Sequence, residues 1–245
     1  MTATNFLSLF IRKLVAVTIY FYYNENMFLN SSIAKKQTVA ITGLLLILFI
    51  IAHLAGNLFI YGGPGMFNAY AHTLHSMGPL LLLARLGLFV VFLIHIFVTH
   101  ILVIQNIKAR GGLKRYAIDQ AVGQRSLAEK IMPWSGLYIL VFVIFHILDF
   151  AMADQQGPRT FIHGTSYGLY GLVFNTFRDP VHALLYIVAM CFLGMHLSHG
   201  VASFLQTNGF RPKWEPVIQR CSNYFVLIMT IGFSSIPVYV YYLSH

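Results

Sequence analysis

Apolar residues run in five long stretches, at about 37–60, 79–105, 133–153, 180–206 and 221–243, divided by short polar or basic segments. Each stretch provides the roughly 20 apolar residues that a helix needs to cross a bilayer. The period-two alternation of barrel strands is absent, and the runs are too long for such strands. The pattern predicts an all-α membrane protein: one domain over residues 31–245, folded as a five-transmembrane-helix bundle.

Local signals set the expected ends. Ser31 or Ser32 can cap the first span, and Lys35 and Lys36 anchor it at the headgroups. YGGPG breaks that span, and FNAYAHTLHSMGP reads as a short outer loop. Pro79, Pro133 and Pro180 are expected to open the second, third and fourth spans. A second outer loop, from about 154 to 179, is rich in glycine and aromatic residues. The fifth span carries no buried histidine and reads as structural, with Trp214 as an interface anchor before it. Residues 1–30 form an N-terminal extension whose role stays open. Arg12 and Lys13 interrupt its apolar run, which suits a dispensable extension, an interfacial helix or an extra span.

Composition agrees with the pattern: 58% hydrophobic, 9% charged, mean hydropathy +0.70. A soluble domain of 245 residues could not hide that much apolar side chain. The net charge of +9 matters through its placement. Lys35, Lys36, Lys108, Arg110, Lys114, Arg115, Arg125, Lys130, Arg211, Lys213 and Arg220 fall on one side, and only Arg159 and Arg178 in the opposite loops. The positive-inside rule then gives a multi-pass protein with a cytoplasmic N-terminus and an outer C-terminus. Nothing interleaves this charge with a base-stacking surface, so nucleic acid is not an expected partner; the lipid bilayer is. Two cysteines, Cys191 and Cys221, occur without a CxxC or CxxCH, so iron–sulfur ligation and covalent haem are excluded within the chain; both thiols read as packing.

Four spans each bury one histidine: FIIAHLAGN (His53), VVFLIHIFVTH (His95), VFVIFHILDF (His146) and CFLGMHLSHG (His196). An unpaired imidazole at such depth costs several kcal/mol, and intramembrane ionisable groups are functional by default. Helical rise fixes their levels. His53 lies 16 residues past Gln37 and His146 lies 13 past Pro133, about 24 and 20 Å from the inner face. His95 and His196 each lie 16 residues past their outer prolines, about 24 Å from the outer face. Antiparallel helices therefore pair His53 with His146 toward the outside and His95 with His196 toward the inside. Two cofactors, each between two imidazoles, fit this arrangement, and two haem b groups are the candidate. Bis-histidine iron has no open position, so such haems carry electrons.

Gly43 and Gly136 each precede a histidine, His53 and His146, by ten residues, about 15 Å, which puts both glycines at the inner level. A missing side chain there lets a flat macrocycle meet the backbone; helix–helix contact is the commoner use of such residues. Arg85, ten residues before His95, falls at the outer level, where it can pair with haem propionates or snorkel to the interface. Lys36 and Gln37 are the inner counterparts. His199 shares nearly one face with His196 and is the rival ligand, and His100 can line a quinone cavity. His163, His182 and His245 read as solvated.

These residues resemble the cytochrome b subunit of succinate dehydrogenase/fumarate reductase, in its single-chain, five-helix, diheme cytochrome b558 family. The resemblance covers about residues 31–245 and rests on IAKKQTVAITGL with His53, FNAYAHTLH, MPWSGL before His146, and HLSHGVASFLQTNGF. The family's His–x–Ser–x–Gly segment would select His196 over His199. The resemblance implies a membrane-anchor subunit of a bacterial inner-membrane complex in the tricarboxylic acid cycle or fumarate respiration. A flavoprotein with the dicarboxylate site and an iron–sulfur protein would dock on its cytoplasmic side. Electrons would pass between the clusters and a membrane quinone, expected to be menaquinone, and no catalytic residue for succinate would lie on this chain. Some members carry a membrane glutamate beside the fourth ligand; here Gly194 and Met195 stand there, and Asp149 is the only acid within a span.

A quinone site near the outer haem would draw on His72 and His75, with Asn57, Asn68, Phe59, Tyr61 and Tyr70 around them. Histidine suits proton exchange with a quinone oxygen because its pKa lies near neutrality. Propionate or backbone bonding is the plainer role for both histidines, and an inner site near His100 is also compatible. Two rival classes remain: a metal-ion transporter, which should place carboxylates among the histidines, and a diheme cytochrome serving a different dehydrogenase.

Overall fold

The computed structural model describes residues 31–109, 127–154, 156–207, 209 and 211–245, without the side chains of 127–130, 206 and 211–216. The extension 1–30 and the basic positions Arg110, Lys114, Arg115 and Arg125 lie outside the described residues, as do the side chains of Lys130, Arg211, Lys213 and Trp214.

Among the described residues, five helices are long and apolar enough to cross a membrane. They are α1 (Ser32–Asn57), α3 (Pro79–Ala109), α4 (Leu127–His146), α6 (Pro180–Thr207) and α7 (Arg211–Ser244). Ser31 caps α1 by accepting the Ala34 N–H at 3.2 Å. Packed interfaces join α1 to α3, α6 and α7, and α6 to α4 and α7.

Three boundaries differ from the sequence expectation. Helix α4 begins at Leu127, so Pro133 lies inside it, where the ring deletes one backbone donor but leaves the rest of the ladder. Helix α7 begins at Arg211, well before the apolar run it carries. Both helices extend beyond the apolar window because polar residues can be helical in water as well as lipid can hold apolar ones. The third difference is larger: the two outer loops are structured. A 3-10 turn (Leu58–Gly62) leads into α2 (Gly63–Ser76), which has Pro64 in its first turn and buries Phe67 and Ala71, an i,i+4 pair. The second loop forms a 3-10 turn (Pro158–Thr160), a hairpin of β1 (Phe161–Ile162) and β2 (Thr165–Ser166), and α5 (Gly168–Phe177). His163 and Gly164 turn the hairpin with φ of +48° and +82°, the two left-handed positions of a type I′ turn.

These pieces form a cap over one end of the bundle. Asn68 fastens α2 to α5: its Nδ2 donates to the Tyr167 carbonyl at 2.8 Å and its Oδ1 accepts the Tyr170 N–H at 3.1 Å. The largest core cluster, including Ile60, Phe67, Tyr170, Phe177, Tyr186 and Val240, sits at this junction of cap and helices.

Candidate histidine-pair sites

Helix α1 carries Thr42, Gly43 and His53; α4 repeats the set as Ser135, Gly136 and His146. The segments TGLLLILFIIAH and SGLYILVFVIFH align without a gap. In a helix the hydroxyl and the glycine fall about 15 Å from the histidine, so each helix serves two levels of the bundle.

At the level nearer the cap, the His53 and His146 rings meet edge to face, centroids 5.7 Å apart and 89° between planes. Two imidazoles sharing one metal through bonds of about 2.0–2.1 Å have ring centres about 6 Å apart. Phe49 stacks on His53 at 5.3 Å, and Phe142, Phe150 and Tyr186 surround His146. His146 Nδ1 is buried without a hydrogen-bond partner, so this ring has a nitrogen to satisfy.

At the deeper level, the glycines receive rings. A Cβ on Gly43 would stand 3.4 Å from His95 Cε1, and one on Gly136 would stand 3.3 Å from His196 Cε1. The nearest group on each glycine is the edge of an imidazole. The neighbouring hydroxyls orient those rings. Thr42 Oγ1 lies 3.0 Å from His95 Nδ1, and Ser135 Oγ lies 3.3 Å from His196 Nδ1. Thr42 already donates to the Thr38 carbonyl at 2.7 Å, and Ser135 to the Met132 carbonyl at 3.0 Å. Each hydroxyl can therefore only accept, and Nδ1 must carry the ring proton. Both Nε2 lone pairs are left for a metal, the usual arrangement of an oriented metal-binding imidazole. Thr42 and Ser135 are buried, at 6% and 1% exposure. Sequence reading passed over them, although a hydroxyl before glycine in both repeats was a visible signal.

The helices that carry each pair do not pack on one another. Among the described residues, neither α1 with α4 nor α3 with α6 shares an extensive interface. Each imidazole pair thus spans a gap between helices. No group of three or more His, Cys, Asp or Glu side chains gathers among the described residues, so a metal at either level would draw only two ligands from the protein. A macrocycle would have to supply the rest, and two imidazoles are the donor set that a haem iron would take.

The other expected residues are placed as follows. Arg85 is exposed on α3. Lys36 is exposed, while Lys35 is buried and donates to Gln105 at 2.7 Å. His72 and His75 are exposed on α2, and His75 Nδ1 bonds the Ala71 carbonyl at 2.7 Å. Asn57 donates to the His53 carbonyl, and Asn68 is committed to the cap. Phe59 stacks on Tyr70 at 5.0 Å, and Tyr61 bonds Ser235 at 2.6 Å. His100 is exposed, and Cys191 and Cys221 are exposed free thiols rather than packing groups. His182 is not simply solvated. Its Nε2 lies 2.9 Å from Asp149, a residue of the π-turn Ile147–Ala151 that ends the third span.

No family model, no curated protein and no solved structure matches the chain. Its described residues are about nine-tenths helical and include five candidate membrane-spanning helices, the architecture of a multi-pass membrane protein.

Proposed function

We propose that this chain is the membrane-anchor cytochrome b subunit of a succinate:quinone oxidoreductase (succinate dehydrogenase/fumarate reductase) in a bacterial inner membrane. It would hold two haem b groups, one between His53 and His146 and one between His95 and His196. The single observation that carries the reading is the doubled site: two imidazole pairs, with the hydroxyl–glycine–histidine set repeated on α1 and α4. The sequence motifs add the choice of family. Bound haem supplies a reversible one-electron iron couple with no open coordination position.

The residues of the chain orient and enclose that couple. Thr42 and Ser135 fix the tautomer of the deeper ligands, and Gly43 and Gly136 let those rings approach. The aromatic shell about His146 keeps water from the ring. A flavoprotein and an iron–sulfur protein dock at the end opposite the cap, where the basic residues concentrate, and menaquinone is the membrane partner.

Purification in mild detergent tests this directly. Two b-type haems in a reduced-minus-oxidised spectrum, co-purifying with a flavoprotein and an iron–sulfur protein, are expected. Replacement of any one of His53, His95, His146 and His196 by Ala should remove one haem. Co-purification with the subunits of a different dehydrogenase would keep the haems and reject the complex; loss of haem from His199→Ala but not His196→Ala would reject the fourth ligand.

A further inference from the structure

Helices α6 and α7 share an extensive interface, and along it runs an open notch of about 400 Å³. Cys191, Gly194 and Met195 form one wall, and Val226, Leu227 and Thr230 the other. A Cβ on Gly194 would collide with Thr230 Oγ1, so the glycine permits the close helix approach that makes the floor. Cys191, Met195 and Leu227 are exposed, which leaves the notch open on the side where a bilayer would lie.

Polar groups suited to a headgroup gather at the end away from the cap. Ile236 and Val240, further along α7, pack at the cap. Asn223 closes the opposite end of the notch, and Arg220 stands one turn before it. Arg220, Asn223, Leu227 and Thr230 follow the i, i+3, i+7, i+10 spacing of one helix face. The apolar span of α7 begins at Val217, which sets Arg220 in its first turn, at headgroup depth.

Both polar groups are donors in want of an acceptor. Gln219 Nε2 donates to Asn223 Oδ1 at 3.2 Å, which leaves the Asn223 amide hydrogens for a ligand. Arg220 is exposed and forms no ion pair or hydrogen bond among the described residues. Glu215 is the one acid in the sequence of either helix, and helical geometry sets it about 140° round α7 from Arg220. A guanidinium fork binds phosphate through two parallel hydrogen bonds. From Arg220 to Thr230 the face runs ten residues, about 15 Å, or half the hydrocarbon core. That is the depth of one acyl chain in one leaflet.

We propose that the α6–α7 notch binds one anionic phospholipid, its phosphate on Arg220 and Asn223 and one acyl chain between the helices. A zwitterionic headgroup brings its own ammonium, which competes with Arg220 for the phosphate, so a net negative headgroup is preferred. The chain fills the slot between the two walls and holds α6 against α7. A second copy of this face is a poorer occupant, because it offers Arg220 no carboxylate at that depth. The inference is independent of the proposed function, since no cofactor takes part.

The test uses the full-length chain, with any subunits that accompany it, purified in mild detergent and stripped of lipid. It is titrated with phosphatidylglycerol or phosphatidylcholine of matched acyl chains, and native mass spectrometry reads the first lipid bound. The wild type is expected to bind phosphatidylglycerol about fivefold more tightly, the scale of one basic residue at an anionic surface. Arg220→Gln should bind the two lipids alike, and Arg220→Lys should keep part of the preference. Leu227→Trp, which fills the slot, should weaken binding of both. A phosphatidylglycerol carrying a diazirine on its acyl chain should label the wild type within 191–195 and 223–230, which locates the site without any variant. Equal binding of the two lipids by the wild type, an undiminished preference in Arg220→Gln, or labelling confined to other helices overturns the proposal. So does a wild type that dimerises through the notch and excludes lipid from it.

Discussion

At the residue scale, the two hydroxyls that meet the deeper histidines are not equivalent. Thr42 Oγ1 lies 3.0 Å from His95 Nδ1, whereas Ser135 Oγ lies 3.3 Å from His196 Nδ1. A partner on Nδ1–H makes the imidazole a stronger donor to a metal, and its loss typically costs about 10–100-fold in affinity or activity. Thr42→Val and Ser135→Ala should therefore each raise the reduction potential of the proposed deeper haem, with the other haem unmoved. Redox titration followed optically reads both, and an unchanged or lowered potential in either would contradict the tautomer argument. The glycines make a second prediction. Gly136 already has His196 Cε1 at 3.3 Å from where a Cβ would stand, so branched carbons must displace the ring. Gly136→Val should abolish the deeper haem and spare the one nearer the cap, seen as the loss of one of two b bands.

At the element scale, the cap is held by few, well-placed bonds. Asn68→Ala would strip the Tyr170 N–H and the Tyr167 carbonyl of their partner, at a cost of about 1–3 kcal/mol for buried groups left unsatisfied. Faster proteolysis within 156–177, at unchanged haem content, is the expected outcome. The hairpin turn responds to backbone strain instead. His163 sits at φ +48°, which costs a β-branched residue about 1–2 kcal/mol, while glycine or asparagine adopts it readily. His163→Val should lower the thermal midpoint of the protein, and His163→Gly should leave it unchanged or raise it slightly.

At the scale of the whole molecule, the placement of basic residues along the sequence sets an expected orientation. The positive-inside rule would put the cap and His245 on the outer side. A reporter fused after His245 should be active only outside the cytoplasm; activity inside would invert the bundle and move the docking face to the cap.

Much of this was written along the chain. Apolar runs of bilayer length dictated five helices, because the bilayer sets a length that few other structures satisfy. Helical rise in antiparallel helices set the two histidine levels, and His53 and His146 do meet. The near-repeat around Gly43 and Gly136 was equally visible. Tertiary structure decided the rest. Thr42 and Ser135 became ring acceptors only because α3 and α6 bring imidazoles to them, a contact about 53 and 61 residues distant in sequence. The cap escaped notice because its short helices draw stability from packing on the bundle rather than from their own periodicity. Asp149 looked isolated among apolar neighbours until a widened turn, which no residue pattern announces, set it against His182 and Tyr186. Depth is a one-dimensional property and can be counted from sequence; which side chains face each other across a gap is not.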